Sequence, residues 1–496
     1  MYTTIQRIII PKAIQTTRKN PGNFTVTRLI KSLVALLATL QIAAIAHAES
    51  AVRPSPSGHF VSYNGKTMTL IGDSGTQCVM QNTNIDYAKW IDDCANAGLN
   101  VIHIWSFVAP RQQLDGTDLE DRYGYLYPSV MPWPRKADGP KAYDGGNQWD
   151  LKQWDPAYWI RLRSLCKVAR DRGLIVGITV FFGWPKHPPD WNYHPFNVRN
   201  GGPVEDNGRM ATRVQQIATP GTEVLDQPWS DAWSPEKKNQ YLWEKFCQKL
   251  IEETNEFDNI FFVFMDEHSY DEGNGGDHFL QFFKKRGACW VDWDDRQNAV
   301  DMVFEQVPYD NTSGMNVGAM KGFGKSPARP ILLLENPPYQ GTPVRLALWS
   351  MLCGGGHYIF HNDAEQETVF TGIMGYDPNV PGGDTAQVKR EWLGHAARLF
   401  NTRVKNLDQF TPQNARVNTG NFCIGAPHTE YIVYAPANGP NEITVDLTGS
   451  NQEFHCQFLN PRNGTWLKEE TRKGNRIEIF TRPDKEDWTL YLTTKN

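Results

Sequence analysis

The chain has 496 residues with 50 Lys and Arg against 55 Asp and Glu, a formal net charge of −5, and no basic stripe of the kind a phosphate backbone requires, which excludes nucleic acid as a partner. Its eight cysteines (78, 94, 166, 247, 289, 353, 423 and 456) are scattered and form no C-x-x-C, which argues against a zinc site. Most lie in apolar contexts and read as small core residues, although one or two disulfides are compatible with an exported chain.

The N-terminus reads as a targeting segment. Arg28 and Lys31 precede an apolar stretch from Leu33 to Ala46, too short for a comfortable membrane span, and Ala46-His47-Ala48 offers small residues where a signal peptidase cleaves. Residues 1–48 are therefore expected to be a cleaved signal peptide, and the protein to be secreted or periplasmic with no membrane span afterwards. N-terminal sequencing of exported protein should begin at Glu49; a start far from it contradicts this reading.

Beyond the signal, strand-like and helix-like segments alternate, the mark of an α/β fold. The predicted strands are Thr67–Asp73, Asn100–Ser106, Leu174–Phe181, Ile260–Met265, Cys289–Trp293, Asn316–Met320, Ile331–Leu334 and His357–His361. Predicted helices include Asp86–Ala97, stopped by Gly98, and Pro156–Arg172, stopped by Gly173. Pro235–Thr254 opens on a Ser234-Pro-Glu start, and Val344–Leu352 ends in Gly354-Gly-Gly356. Eight strands with intervening helices over residues 49–405 predict a (β/α)8 barrel, whose chemistry sits at the C-terminal ends of its strands. Long insertions follow the second strand (107–155) and the third (182–233) and would build a binding site on that face. From residue 406 the helix pattern stops. Short strands separated by turns such as Asn463-Gly464 then predict an antiparallel β-sandwich over 406–496.

Two predicted barrel strands end on a glutamate: Asn259-Ile-Phe-Phe-Val-Phe-Met-Asp266-Glu267-His268 and Pro330-Ile-Leu-Leu-Leu-Glu335-Asn-Pro-Pro-Tyr339. Glycoside cleavage needs one carboxylic acid to protonate the leaving oxygen and one carboxylate to attack or to activate water. Glu267 is the candidate acid/base and Glu335 the candidate nucleophile. Around them the site-lining candidates follow: Asp73 ends strand one and is expected to bind a sugar hydroxyl, His103 and Trp105 end strand two, and Asp266 and His268 flank the acid. Tyr339 follows the nucleophile, and His361, Asn362 and Asp363 end strand eight. Trp184, His187, Trp191 and His194 crowd a Pro-rich loop after strand three. Aromatics on such loops offer flat faces to sugars, whereas periodic segments use them for packing. The acidic stretch 266–277 lacks the ligand alternation and closing Glu of a calcium loop, so neither a metal nor a cofactor is expected.

Several segments resemble apiosidase-like glycoside hydrolases, which carry a cellulase-like barrel and a C-terminal sandwich bearing a collagen-binding label. Val61-Ser-Tyr-Asn-Gly-Lys-Thr-Met-Thr-Leu-Ile-Gly-Asp73 is similar to their opening strand, and Gly98-Leu-Asn-Val-Ile-His-Ile-Trp105 to their second. Asn259–Glu267 resembles the acid-bearing fourth strand, and Leu334-Glu-Asn-Pro-Pro-Tyr339 the nucleophile segment. Arg345 to Gly356 resembles the helix before the last strand, and Tyr431–Pro436 and Phe458–Thr465 resemble the sandwich. The chain departs from the pattern at Asp266, where the broader clan has Asn, and at His103, where it has Arg. The family's substrate and stereochemistry do not carry over across these departures, and the expectation is a glycoside hydrolase acting on plant or algal polysaccharides or their oligosaccharides. A non-catalytic carbohydrate- or matrix-binding barrel and a polysaccharide lyase are the alternatives.

Overall fold

The computed structural model describes residues 50–75, 78–83, 85–108, 128–181, 192–203, 240–265, 276–292, 300–304, 312–334, 344–360 and 383–494. Three short strands come first: β1 (Arg53–Pro54), β2 (Val61–Tyr63) and β3 (Lys66–Met68), paired antiparallel in that order. Eight parallel strands then close a barrel: β4 (Ile71–Asp73), β5 (Val101–Trp105), β6 (Ile175–Phe181), β7 (Ile260–Met265), β8 (Cys289–Asp292), β9 (Met302–Phe304), β10 (Ile331–Leu333) and β11 (His357–Phe360). Pairing of Tyr358 with Ile71 joins the last strand to the first.

Alternation along the strands explains the hydrophobic runs. Val101, Ile175, Phe261, Val263, Cys289, Val291, Leu332, Leu334 and Ile359 fill the barrel interior. Their neighbours Ile102, Ile104, Val176, Ile178, Val180, Phe262 and Phe264 pack outward against helices. Both faces are covered, so the strands read as continuous apolar segments. The interior cluster also takes Val61 and Met68 from the N-terminal sheet and Val52 and Leu70 from the residues flanking it. Ser50 donates its hydroxyl to the Ile260 carbonyl, and the Ala51 amide donates to Asp258 O at 2.9 Å. The small sheet thus plugs the end of the barrel where strands begin.

The helices follow local chemistry. α1 (Tyr87–Ala97) starts on Asp86, whose side chain accepts from the Lys89 amide, and stops at Gly98 with φ 96°, a left-handed position natural to glycine. α2 (Pro156–Asp171) starts on Asp155 with Pro at its first turn, and buries Tyr158, Trp159, Leu162, Leu165, Cys166 and Ala169, one stripe at helical spacing. α3 (Gln240–Thr254), α4 (Gly276–Lys284), α5 (Thr312–Gly324), α6 (Val344–Cys353) and α7 (Gly383–Arg398) follow.

One predicted strand is overturned. Asn316–Met320 lies inside helix α5, and the sixth barrel strand is β9 at Met302–Phe304. The run reads as strand because it is short, apolar and broken by glycines. Its burial is helical: Met315, Asn316 and Ala319 are inside while Val317 is exposed. Small residues there let α6 approach closely. A Cβ on Gly354 would meet Asn316 O at 2.5 Å and the Ala319 Cβ at 2.6 Å. Gly354→Ala should therefore lower stability by about 1–3 kcal/mol through overpacking. Denaturant titration reads this directly, and an unchanged midpoint contradicts the tight α5–α6 contact.

After α7 the chain makes one π-helical turn, Leu399–Arg403, and enters the C-terminal sheets. Strands β12 (Thr411–Pro412), β13 (Phe422–Ala426), β14 (Glu430–Ala435), β15 (Glu442–Asp446), β16 (Glu453–Leu459), β17 (Glu470–Lys473), β18 (Ile477–Thr481) and β19 (Trp488–Thr494) form a six-stranded sheet, β12-β13-β14-β19-β16-β17, and a two-stranded sheet, β15-β18. Tyr431, Val433, Leu490 and Leu492 meet Ile443, Val445 and Phe480 between the sheets. The opposite face, with Ile432 and Tyr434, joins the hydrophobic cluster of the barrel helices. Tyr434 stacks on Trp349 of α6 with centroids 5.7 Å apart, and Asp487 receives Arg345 Nε at 3.0 Å. All eight cysteines are buried free thiols, so the disulfides that export allowed are not formed here. Among the described residues no helix is long and apolar enough to cross a membrane.

Candidate active site at the strand ends

With the lower end plugged, the C-terminal ends of the strands are the face at which a barrel presents chemistry. β7 ends at Met265, two residues before Glu267, and β10 ends at Leu333, two residues before Glu335. They are the fourth and seventh strands of the ring, three places apart. Both glutamates lie outside the described residues, as do Trp184, His187, Trp191, Asp266, His268, Tyr339, His361, Asn362 and Asp363.

Four of the candidates are described, and they separate into two groups. His103 and Trp105 share the inward parity of Val101 and are fully buried. Their ring centroids are 4.6 Å apart, and His103 Nε2 lies 2.7 Å from Thr179 Oγ1 of β6. Thr179 is a residue that nothing in the sequence had singled out. Its cross-strand partner Trp105 places it in the same upper layer. These two candidates come together inside the barrel beneath the mouth.

Asp73 and His194 do not join them. Asp73 follows Ile71, which packs outward, and its carboxylate points at the helices. Oδ2 receives Arg390 Nε of α7 at 2.5 Å and Trp90 Nε1 of α1 at 3.3 Å, and Oδ1 receives the Gly75 amide at 2.7 Å. Both carboxylate and guanidinium are buried. The expectation that Asp73 binds a sugar hydroxyl is thus corrected: strand alternation turns it away from the substrate side and into an ion pair holding α7.

His194 had been grouped with the loop aromatics as a sugar platform. The structure buries it instead. Its ring meets Phe107, Phe196 and Trp243 at 5.5, 5.1 and 6.1 Å, and its Nδ1 accepts the Phe196 amide at 3.0 Å. Trp133, Phe246 and Trp159 extend the same aromatic mass behind it. A Pro-rich loop can thus supply core residues when it folds down over an α/β layer. Desolvation in this shell lowers the His194 pKa to about 3. His357, whose Nδ1 accepts the Leu70 amide at 2.8 Å, is likewise lowered to about 3 by burial.

Both values lie below the ordinary histidine value near 6.5, so the unfolded chain binds protons that the folded one refuses. Their share of stability is complete above pH ~6.5 and is lost as pH falls toward 3. At pH 5 each imidazole should cost roughly 2 kcal/mol relative to neutral pH. Denaturant midpoints at pH 7 and pH 5 check this. His357→Gln should flatten the profile, and an unaltered profile contradicts the assignment.

Lys389 of α7 was also invisible in the sequence. Its ammonium lies 5.5 Å from the Phe360 ring centroid, at the end of β11, and burial lowers its pKa to about 8. Among the described residues no group of three or more metal-ligating side chains converges.

No family model matches the chain, and no curated protein matches it in sequence. Solved structures do match in shape. One described as a glycoside hydrolase superposes with a TM-score of 0.58 at 13% identity, covering 90% of this chain and 97% of that one. A glycoside hydrolase family 5 protein from Bacteroides vulgatus superposes with a TM-score of 0.60 at 14% identity, covering 90% and 94%. At this identity the likeness shows a shared fold, and it extends through both the barrel and the C-terminal sheets.

Proposed function

We propose that this protein is a glycoside hydrolase that cleaves O-glycosidic bonds by a two-glutamate, retaining mechanism. One observation carries the reading. The fourth and seventh strands of a barrel plugged at its other end each stop two residues before a glutamate. Two residues of extended chain reach at most about 7 Å, so each carboxyl is tethered close to its strand end. Glu267 acts as acid/base and Glu335 as nucleophile. A retaining mechanism asks for the two carboxyls about 5–5.5 Å apart. His103 and Trp105, with Thr179 beside the imidazole, lie inside the barrel in the layer below the strand ends. The whole-chain likeness in fold to proteins described as glycoside hydrolases favours this class over a binding module.

The substrate we infer is a plant or algal polysaccharide or its oligosaccharides, in keeping with the expectation from sequence. The long segments after β5 and β6 favour a pocket over an open cleft, hence action at chain ends. Export follows from the signal-like N-terminus, and N-terminal sequencing tests it. Screening the purified protein against aryl glycosides and polysaccharides tests the activity. Release of reducing sugar supports hydrolysis. Products absorbing in the ultraviolet would indicate a lyase, and binding without turnover a carbohydrate-binding module.

A further inference from the structure

A cavity of about 380 Å³ lies away from the strand ends, where the π-helical turn after α7 meets β16 and the segment following it. Its lining holds Arg398, Arg403 and His395 from the helical side, and Leu459 and Trp466 from the sheet. The π turn brings the two arginines together. In an α-helix, residues five apart point about 140° from each other. Here the Val404 amide bonds to the Leu399 carbonyl at 3.0 Å, five residues back, which widens the turn and returns Arg403 toward the side of Arg398. Such turns are rare and concentrate at functional sites.

The partners of the two guanidiniums are all neutral. Arg398 donates to Ala97 O at 2.7 Å and lies 2.6 Å from His395 Nδ1. Arg403 donates to Gln457 Oε1 at 2.6 Å and stacks over Trp466 at 3.8 Å. Among the described residues, neither arginine has a carboxylate within ion-pair distance. His395 accepts at Nδ1 and so carries its proton on Nε2, while burial and the Arg398 charge hold it neutral with a pKa near 4. The position facing His395 is Gly464. A Cβ there would come within 2.5 Å of the imidazole, and the φ of +72° is itself natural to glycine, so the backbone packs directly on the ring at the cavity edge.

Two guanidiniums without an acid, beside a wall of indole and leucine, describe a binding site for a carboxylate on a ring with an apolar face. We propose that this cavity is an accessory site for a uronic acid residue of an acidic oligosaccharide, separate from the site at the strand ends. The choice of a sugar acid over other carboxylates rests on the glycoside hydrolase reading above.

Calorimetric titration of the Glu335→Ala protein with trigalacturonate tests the proposal without turnover. Its fully methyl-esterified form is the uncharged control and inorganic sulfate the competing anion. Trigalacturonate should bind, the ester should not, and 10-fold excess sulfate should not displace it. Arg403→Gln and Arg398→Gln should each weaken binding about tenfold or more, since a charge-assisted contact is lost. Thr402→Trp, which fills the cavity and leaves both charges, should abolish it and serves if an arginine variant melts early. Equal binding of the ester, displacement by sulfate, or binding indifferent to all three substitutions overturns the inference. Arginine-dependent binding in a protein inactive on every glycoside would sustain this site while removing the hydrolase reading.

Discussion

Glu335→Ala should abolish turnover on every substrate, because no other group can form the glycosyl-enzyme bond. Glu267→Ala should behave differently. Dinitrophenyl glycosides carry a leaving group that needs little protonation, so the variant should retain much of its first-step rate on them. On natural glycosides it should lose the ~100- to 10,000-fold that general acid–base catalysis supplies. Azide should restore a product to Glu335→Ala with inverted anomeric configuration, since the small anion enters the space the carboxylate leaves. Steady-state kinetics on both substrate types checks the pair. Equal losses for both variants on both substrates would remove the assigned roles, and full activity in either would remove the site.

Arg390→Met should destabilise the protein by about 3–5 kcal/mol, the range expected when one partner of a buried ion pair is removed and the other charge is left uncompensated. The reason is geometric. Asp73 and Arg390 are both buried, joined at 2.5 Å, and the pair ties the first barrel strand to α7. Asp73→Ala should also lower stability, since it removes the buried acceptor shared by Arg390 Nε, Trp90 Nε1 and the Gly75 amide. The double variant Asp73→Leu with Arg390→Met should recover much of the loss, because a well-packed apolar pair often replaces a buried ion pair at little cost. Denaturant titration of the single and double variants measures the coupling. A sugar-binding role for Asp73 would give the opposite pattern, a raised KM with unchanged stability.

Much of the architecture was legible because barrel strands are covered on both faces. Runs such as Ile260–Met265 and Ile175–Phe181 are apolar without interruption, and helix stops such as Gly98 carry their own chemistry. The sixth strand was misplaced because a glycine-rich helix packed on another helix has lost its amphipathic signal, so Asn316–Met320 looks like a strand of similar length. Strand β9, three residues long, leaves little pattern to detect.

Site residues were harder to read for a different reason. At a strand end, one position decides whether a side chain faces substrate or helix. Asp73 closes β4 and His103 sits midway along β5, yet His103 faces inward while Asp73 forms an ion pair behind the barrel. Period-two alternation measured from Val101 places His103 inside, and measured from outward-facing Ile71 places Asp73 outside. His194 carries no such marker, since its fate depends on an aromatic cluster drawn from α2, α3 and the segments holding Phe107, Trp133 and Phe196. Thr179 and Lys389 became visible only through their neighbours, His103 and Phe360.

In the proposed mechanism a glycosyl group is passed through Glu335 in a retaining reaction. Once the screen identifies an aryl glycoside that the protein turns over, its 2-deoxy-2-fluoro analogue with a dinitrophenol leaving group should form a long-lived adduct, because the fluorine slows hydrolysis of the intermediate more than its formation. Intact-mass measurement should show one added sugar per chain, and peptide mapping should place it on Glu335. A label on another carboxylate, or no adduct together with inverted product, would contradict the account.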